Sequence, residues 1–190
     1  MNAQRKSKLH LVVVLLVCLA RPLPAADGVP PGLQANLILK VAPFDTSLAS
    51  LQQIQLLVVA RRDDAASQHL ADEVSAALKQ QPQIAGLPLH VAQIEAGGVP
   101  QLLQEIRARK PAIVYLSTSF SRDAAAIAAG LGGEHVLTIA AESAAVQGGI
   151  CVGFDLIAGR PLLLVHLGQS QKQHVQFQPG FLHLAKVVDS

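Results

Sequence analysis

Short apolar runs alternate with amphipathic stripes along most of this chain, and that alternation constrains the fold more than any other feature. Ile54 to Ala60 is an apolar run rich in Val, Leu and Ile, the pattern of a strand covered on both faces. It ends at Arg61-Arg62-Asp63-Asp64, where either aspartate can cap a following helix. Leu70, Val74, Ala77 and Leu78 then make the i, i+4, i+7, i+8 stripe of that helix. Strand has given way to helix.

The same exchange recurs downstream. Leu89 to Ile94 is expected as strand, Val99 to Arg109 as helix with Val99, Leu102, Leu103 and Ile106 inward, and Ala112 to Leu116 as strand. Ser121 to Leu131 follows as helix, Val136 to Ile139 as strand, Ala141 to Val146 as a short helical turn, and Ile150 to Ile157 as strand. Ala158-Gly159 supplies a tight reversal into Leu162 to Leu167, giving an antiparallel hairpin. Upstream, Leu33, Leu37, Ile38 and Val41 share a helical face until Pro43 stops it. Downstream, Phe181, Leu182, Ala185 and Val188 predict a terminal helix begun near Pro179. The fold class implied is α/β: a three-layer sandwich with a largely parallel sheet and a C-terminal antiparallel hairpin.

Residues 1–26 follow a different logic. Arg5, Lys6 and Lys8 precede the apolar run Leu11 to Ala20, and Arg21-Pro22-Leu23-Pro24-Ala25-Ala26 provides small residues for cleavage, the layout of a secretory signal peptide. Ten apolar residues rise only about 15 Å as a helix, too short for a stable membrane span. Cys18 lies inside this run, and Val17 stands where a lipoprotein signal needs Ala or Gly. The expectation is therefore a cleaved leader, 1–26, followed by one exported domain, 27–190.

Removing 1–26 lowers Lys+Arg from 15 to 11 against 13 Asp+Glu, leaving a net charge of −2. With no basic tract, nucleic acid and anionic membrane surfaces are not expected partners. Arg107, Arg109 and Lys110 close a predicted helix, where cations complement the dipole. Cys151 is the only cysteine after residue 26, so no disulfide forms within the subunit. Its apolar setting, Gly149-Ile150-Cys151-Val152, predicts a buried thiol.

Catalytic and cofactor motifs are not found. The turn after the first strand contains no glycine, which excludes a dinucleotide fingerprint there. Gly130-Leu131-Gly132-Gly133 follows a helix and serves as its stop. His69, His90, His135, His166, His174 and His183 are scattered without metal-ligand spacing. Gly168-Gln169-Ser170-Gln171-Lys172 has lysine where a nucleophile elbow needs glycine. No catalytic residue, metal or cofactor is expected. One candidate site remains. The carboxyl ends of the strands, where open α/β sheets bind ligands, carry Arg61, Arg62, Ser117, Thr118, Ser119, Arg122 and Thr138, a set of donors suited to a small anion. The competing reading gives the hydroxyls and Asp63 a capping role and leaves the arginines solvated.

The order of elements and several phrases resemble the YfiR family of periplasmic regulators. These are Ile38-Leu39-Lys40-Val41 with Phe44-Asp45, then His135-Val136-Leu137-Thr138-Ile139, then Gly148-Gly149-Ile150-Cys151-Val152, and the close Phe181-Leu182-His183-Leu184-Ala185-Lys186-Val187-Val188. The resemblance implies a non-catalytic protein located in the periplasm that binds an inner-membrane diguanylate cyclase and restrains cyclic di-GMP synthesis, with consequences for biofilm formation. This chain lacks the disulfide cysteines of better-known members and has His166 where they have asparagine. A divergent branch paired with another sensor, such as a histidine kinase, is consistent with both departures. The alternative is a single-lobe small-molecule binding module, whose missing second lobe a homodimer would supply. An enzyme comes last.

Overall fold

The computed structural model describes residues 28–188. The expected signal peptide lies outside the described residues. Among them, eight strands form one sheet in the order β2-β3-β1-β4-β5-β6-β7-β8. The strands are β1 (Ile54–Arg61), β2 (Gln83–Ile84), β3 (Leu87–Ala96), β4 (Ile113–Leu116), β5 (Leu137–Ala140), β6 (Val152–Ile157), β7 (Arg160–Val165) and β8 (Ala185–Val187). The helices are α1 (Pro31–Val41), α2 (Ala65–Lys79), α3 (Val99–Arg109), α4 (Ala124–Gly130), α5 (Ser143–Gln147), α6 (Leu167–Lys172) and α7 (Pro179–Leu182).

Five neighbouring strands, β3, β1, β4, β5 and β6, run parallel, as expected where helices cross between strands. β1 explains the layering. Its Ile54, Leu56, Val58 and Ala60 enter one core with α1 and α2, while Leu57 and Val59 enter a second core with α3 and α4. Alternation along one strand thus feeds both faces, and the result is a three-layer α/β sandwich.

The hairpin is β6–β7, paired antiparallel from Val152↔Val165 to Ile157↔Arg160. Its two turn residues both have positive φ, Ala158 at 50° and Gly159 at 74°, the primed-turn geometry that matches strand twist. The expected stop at Gly130 is also present, with α4 ending there.

Several expectations need correction. The terminal helix is only the single turn α7; Ala185 to Val187 instead form β8, parallel to β7. Lys186 is exposed between the half-buried Ala185 and Val187, a strand alternation that the open edge of β7 makes available. The helix expected over Ser121 to Leu131 begins as a 3-10 turn, Ser121–Asp123, before α4. The strand expected over Leu162 to Leu167 runs earlier, and Leu167 opens α6. Cys151 lies just ahead of β6 and is fully buried.

Candidate functional site

The chain passes from β1 to β3 on one side and then to β4 on the other, so the sheet's switch point lies between the carboxyl ends of β1 and β4. That is where open α/β sheets leave a crevice for ligands. Here the chain's own polar groups bond to one another across the crevice. Ser67, in the first turn of α2, accepts a hydrogen bond from the Arg61 amide at 2.8 Å, shares one with the Ser117 hydroxyl, and donates to the Thr118 carbonyl at 3.1 Å. Ser67 and Ser117 are both buried.

Asp64 is the aspartate that caps α2, its Oδ1 accepting from the Ser67 amide at 3.0 Å. Its other oxygen accepts from the Ser119 hydroxyl. The Ser119 bond, then the Ser67 amide, hold this carboxyl below the usual carboxylate range. Ser119 has φ +71°, a left-handed backbone that is strained for serine. Arg61 holds it there by donating to its carbonyl at 2.9 Å. The same guanidinium pairs with Asp123 and lies 4.3 Å from the centre of the Phe120 ring. Glu142 accepts from the Ser121 hydroxyl and, at 3.4 Å, from the Ser119 amide.

Of the seven residues singled out from sequence, Arg61, Ser117, Thr118 and Ser119 converge at this switch point. Arg62 lies beside it and donates to Gln101 Oε1 at 3.2 Å. Arg122 is exposed on the following 3-10 turn. Thr138 does not join them. It is buried within β5, accepting from the Cys151 amide and donating to Gln173 Oε1, both at 3.1 Å. The counter-ions Asp64, Asp123 and Glu142 and the bridging Ser67 carry no local signal beyond the capping position of Asp64, because loops far apart in sequence bring them together.

Thr138 belongs to a second polar cluster, under α6. Gln173 Oε1 accepts from the Cys151 thiol at 2.9 Å and from Gln169 at 3.4 Å, and its Nε2 donates to the Val136 carbonyl at 3.1 Å. Burial pushes the Cys151 thiol up, which keeps it protonated and unreactive. His166 caps α6, with Nδ1 accepting from the Gln169 amide at 3.1 Å. Ser170 donates to the His166 carbonyl and is buried, unlike a nucleophile.

Among the described residues no group of three or more His, Cys, Asp or Glu side chains is placed to hold a metal, and no helix is long and apolar enough to cross a membrane.

The YfiR/HmsC-like family model matches residues 32–186, from the start of α1 into β8. The chain belongs to the YfiR/HmsC-like family. No curated protein matches it. Three solved structures share the YfiR/HmsC-like chain's fold at low identity. A conserved domain protein from Vibrio cholerae O1 biovar eltor str. N16961 superposes with a TM-score of 0.63 at 11% identity, over 85% of this chain and 60% of that one. A substrate-binding protein with adhesive properties from Clostridium difficile, in its ligand-free, open form, gives 0.60 at 12% identity over 82% and 58%. An ABC domain in complex with L-Trp from Streptococcus pneumonia gives 0.59 at 10% identity over 84% and 62%. The YfiR/HmsC-like chain therefore spans about three fifths of those chains, and the likeness is one of fold.

Proposed function

We propose that this protein is a periplasmic, non-catalytic regulator that binds an inner-membrane signalling protein, a diguanylate cyclase or a histidine kinase, and restrains it. The observation that carries the reading is the family match across 32–186, which takes in every layer of the fold. The mutual pairing of the polar groups between β1 and β4 supports action by surface contact over turnover of a substrate. Surface for such contact exists at the hairpin margin, where Ile157 is 56% exposed and Leu184 65%. Affinity capture from solubilised inner membranes should recover a cyclase or a kinase, and deletion of the gene should change cyclic di-GMP levels. Capture that returns neither class of protein overturns the reading. In the periplasmic fraction the amino terminus should begin near residue 27, the consequence of a cleaved 1–26 leader and a single 27–190 domain.

A second reading, a single-lobe anion-binding module, is favoured by the position of Arg61, Ser117, Thr118 and Ser119 at the switch point. It requires Arg61 and Ser119 to exchange carboxylate partners for ligand, with Arg62 and Arg122 closing from the side. Calorimetric titration with phosphate would release heat that Arg61→Ala and Arg122→Ala abolish. A flat titration removes this reading and leaves the first standing.

A further inference from the structure

A groove opens at the opposite end of the sheet from the switch point. It has a volume of about 630 Å³ and lies at the amino ends of β1, β4 and β5, within the range that encloses small ligands. Its chemistry is two-sided. Leu51 presents the exposed apolar surface, backed by the buried Leu48, Val136 and Leu137, while Gln52, Gln53, Gln55, Ser47 and Ser50 present amides and hydroxyls.

Two further features give the groove an exposed ammonium and a flat wall. Lys110 lines it, held at the end of α3 with φ +48°, and takes part in none of the ion pairs among the described residues. The acid that shares the groove, Asp45, is 3% exposed and already accepts backbone amides from Ser47 at 3.0 Å and Gln176 at 3.2 Å. Lys110, by contrast, is exposed and makes no ion pair with Asp45, so its ammonium is open to a ligand. His135 forms part of the wall, and its ring is steadied by His174, stacked at 4.4 Å and 17°.

We propose that this groove binds a hydroxylated monocarboxylate of pyranose size, a uronate, with Lys110 taking the carboxylate and the Gln and Ser side chains taking the hydroxyls. A pyranose ring has a C–H face that suits Leu51 and the His135 ring, and a hydroxyl edge that suits amides, each of which both donates and accepts. A single ammonium balances one carboxylate. A phosphate dianion would be only half matched, since it favours guanidinium forks or clusters of backbone amides.

The test is an NMR titration of the 15N-labelled protein with sodium glucuronate, glucose and inorganic phosphate. Glucuronate should produce saturable shifts confined to amides in 45–55, 110–112 and 135–137, and glucose should bind at least about tenfold more weakly. Lys110→Asn, a residue that tolerates the left-handed backbone, should weaken glucuronate binding by about tenfold or more without lowering the melting temperature. Gln52→Ala, on an exposed side chain, should weaken it with the charge intact. Absence of saturable shifts, equal response to glucose, stronger response to phosphate, shifts centred on Arg61, or an unchanged affinity in Lys110→Asn would each overturn the proposal. None of these results bears on capture of a membrane partner, so the two readings fail separately.

Discussion

Tyr115 places a hydroxyl in the middle of an apolar core, and Gln34 is what makes it tolerable. The phenol donates to Gln34 Oε1, and Gln34 Nε2 donates to the Val29 carbonyl at 2.7 Å, so the pair ties α1 to β4 with every polar atom met. Tyr115→Phe removes the donor and leaves a buried amide oxygen, at a cost of about 1–3 kcal/mol, read as a lower urea midpoint with an unchanged slope. Burial also pushes the phenol well above its ordinary value. Its contribution is therefore complete below about pH 10 and lost as pH rises above that, because the unfolded chain ionises first. As the only tyrosine in the chain, Tyr115 should show tyrosinate absorbance only as the protein unfolds. Asp64 works in the opposite direction. Its depressed value means stability that is present above about pH 4 and lost as pH falls through the folded value. Asp64→Asn keeps the cap and removes this dependence, so acid titrations of the two proteins should converge at low pH, while Asp64→Ala costs about 1 kcal/mol at neutral pH. The cap was legible in sequence. The Tyr115 bond was not, since Gln34 is 81 residues away and looks like any surface glutamine until the fold buries it.

Elements were legible where burial writes a pattern into neighbouring residues. β1, β4 and β5 are buried on both faces and show as apolar runs; α2 and α3 are buried on one and show as stripes. Elements fixed by remote partners were not. β8 is a strand because β7 offers an edge, and α6 buries Gln169 and Ser170 because a cluster of polar groups from β5 and the loop before β6 waits beneath it. The same holds for the switch-point cluster, whose arginine and serines could be listed in advance but whose carboxylate partners could not be assigned. One close approach between elements is directly testable. A Cβ on Gly153 would lie 2.4 Å from Val146 Cγ2 and 3.3 Å from the Glu142 carbonyl, so α5 rests on β6 where a side chain is missing. Gly153→Ala should destabilise by about 1–3 kcal/mol, and Val146→Ala in the same background should return part of that loss. Simple additivity of the two changes would show that the helix relieves the clash by moving.

At the scale of the molecule, the two cores are not independent, because the same strands line both. β1 gives Leu56 and Val58 to one and Leu57 and Val59 to the other; β5 gives Leu137 and Ile139 to the first and Ala140 to the second. A strand cannot leave one core while keeping its ladder and its packing in the other. The hairpin adds no third unit, since Phe154 and Val165 belong to the first core. Loss of either face should therefore unfold the whole sheet, and the 27–190 segment should behave as a single cooperative domain. In calorimetry the van't Hoff and calorimetric enthalpies should agree, and the far-ultraviolet signal of the helices should change together with the near-ultraviolet signal of Tyr115, which sits in the first core. Two resolved transitions, or Tyr115 changing ahead of the helices, would mean that the faces come apart separately. A regulator acting through its outer surface requires the coupled behaviour, because residues as far apart as the hairpin turn and the carboxyl ends of β1 and β4 hold a fixed spacing only while one sheet carries both.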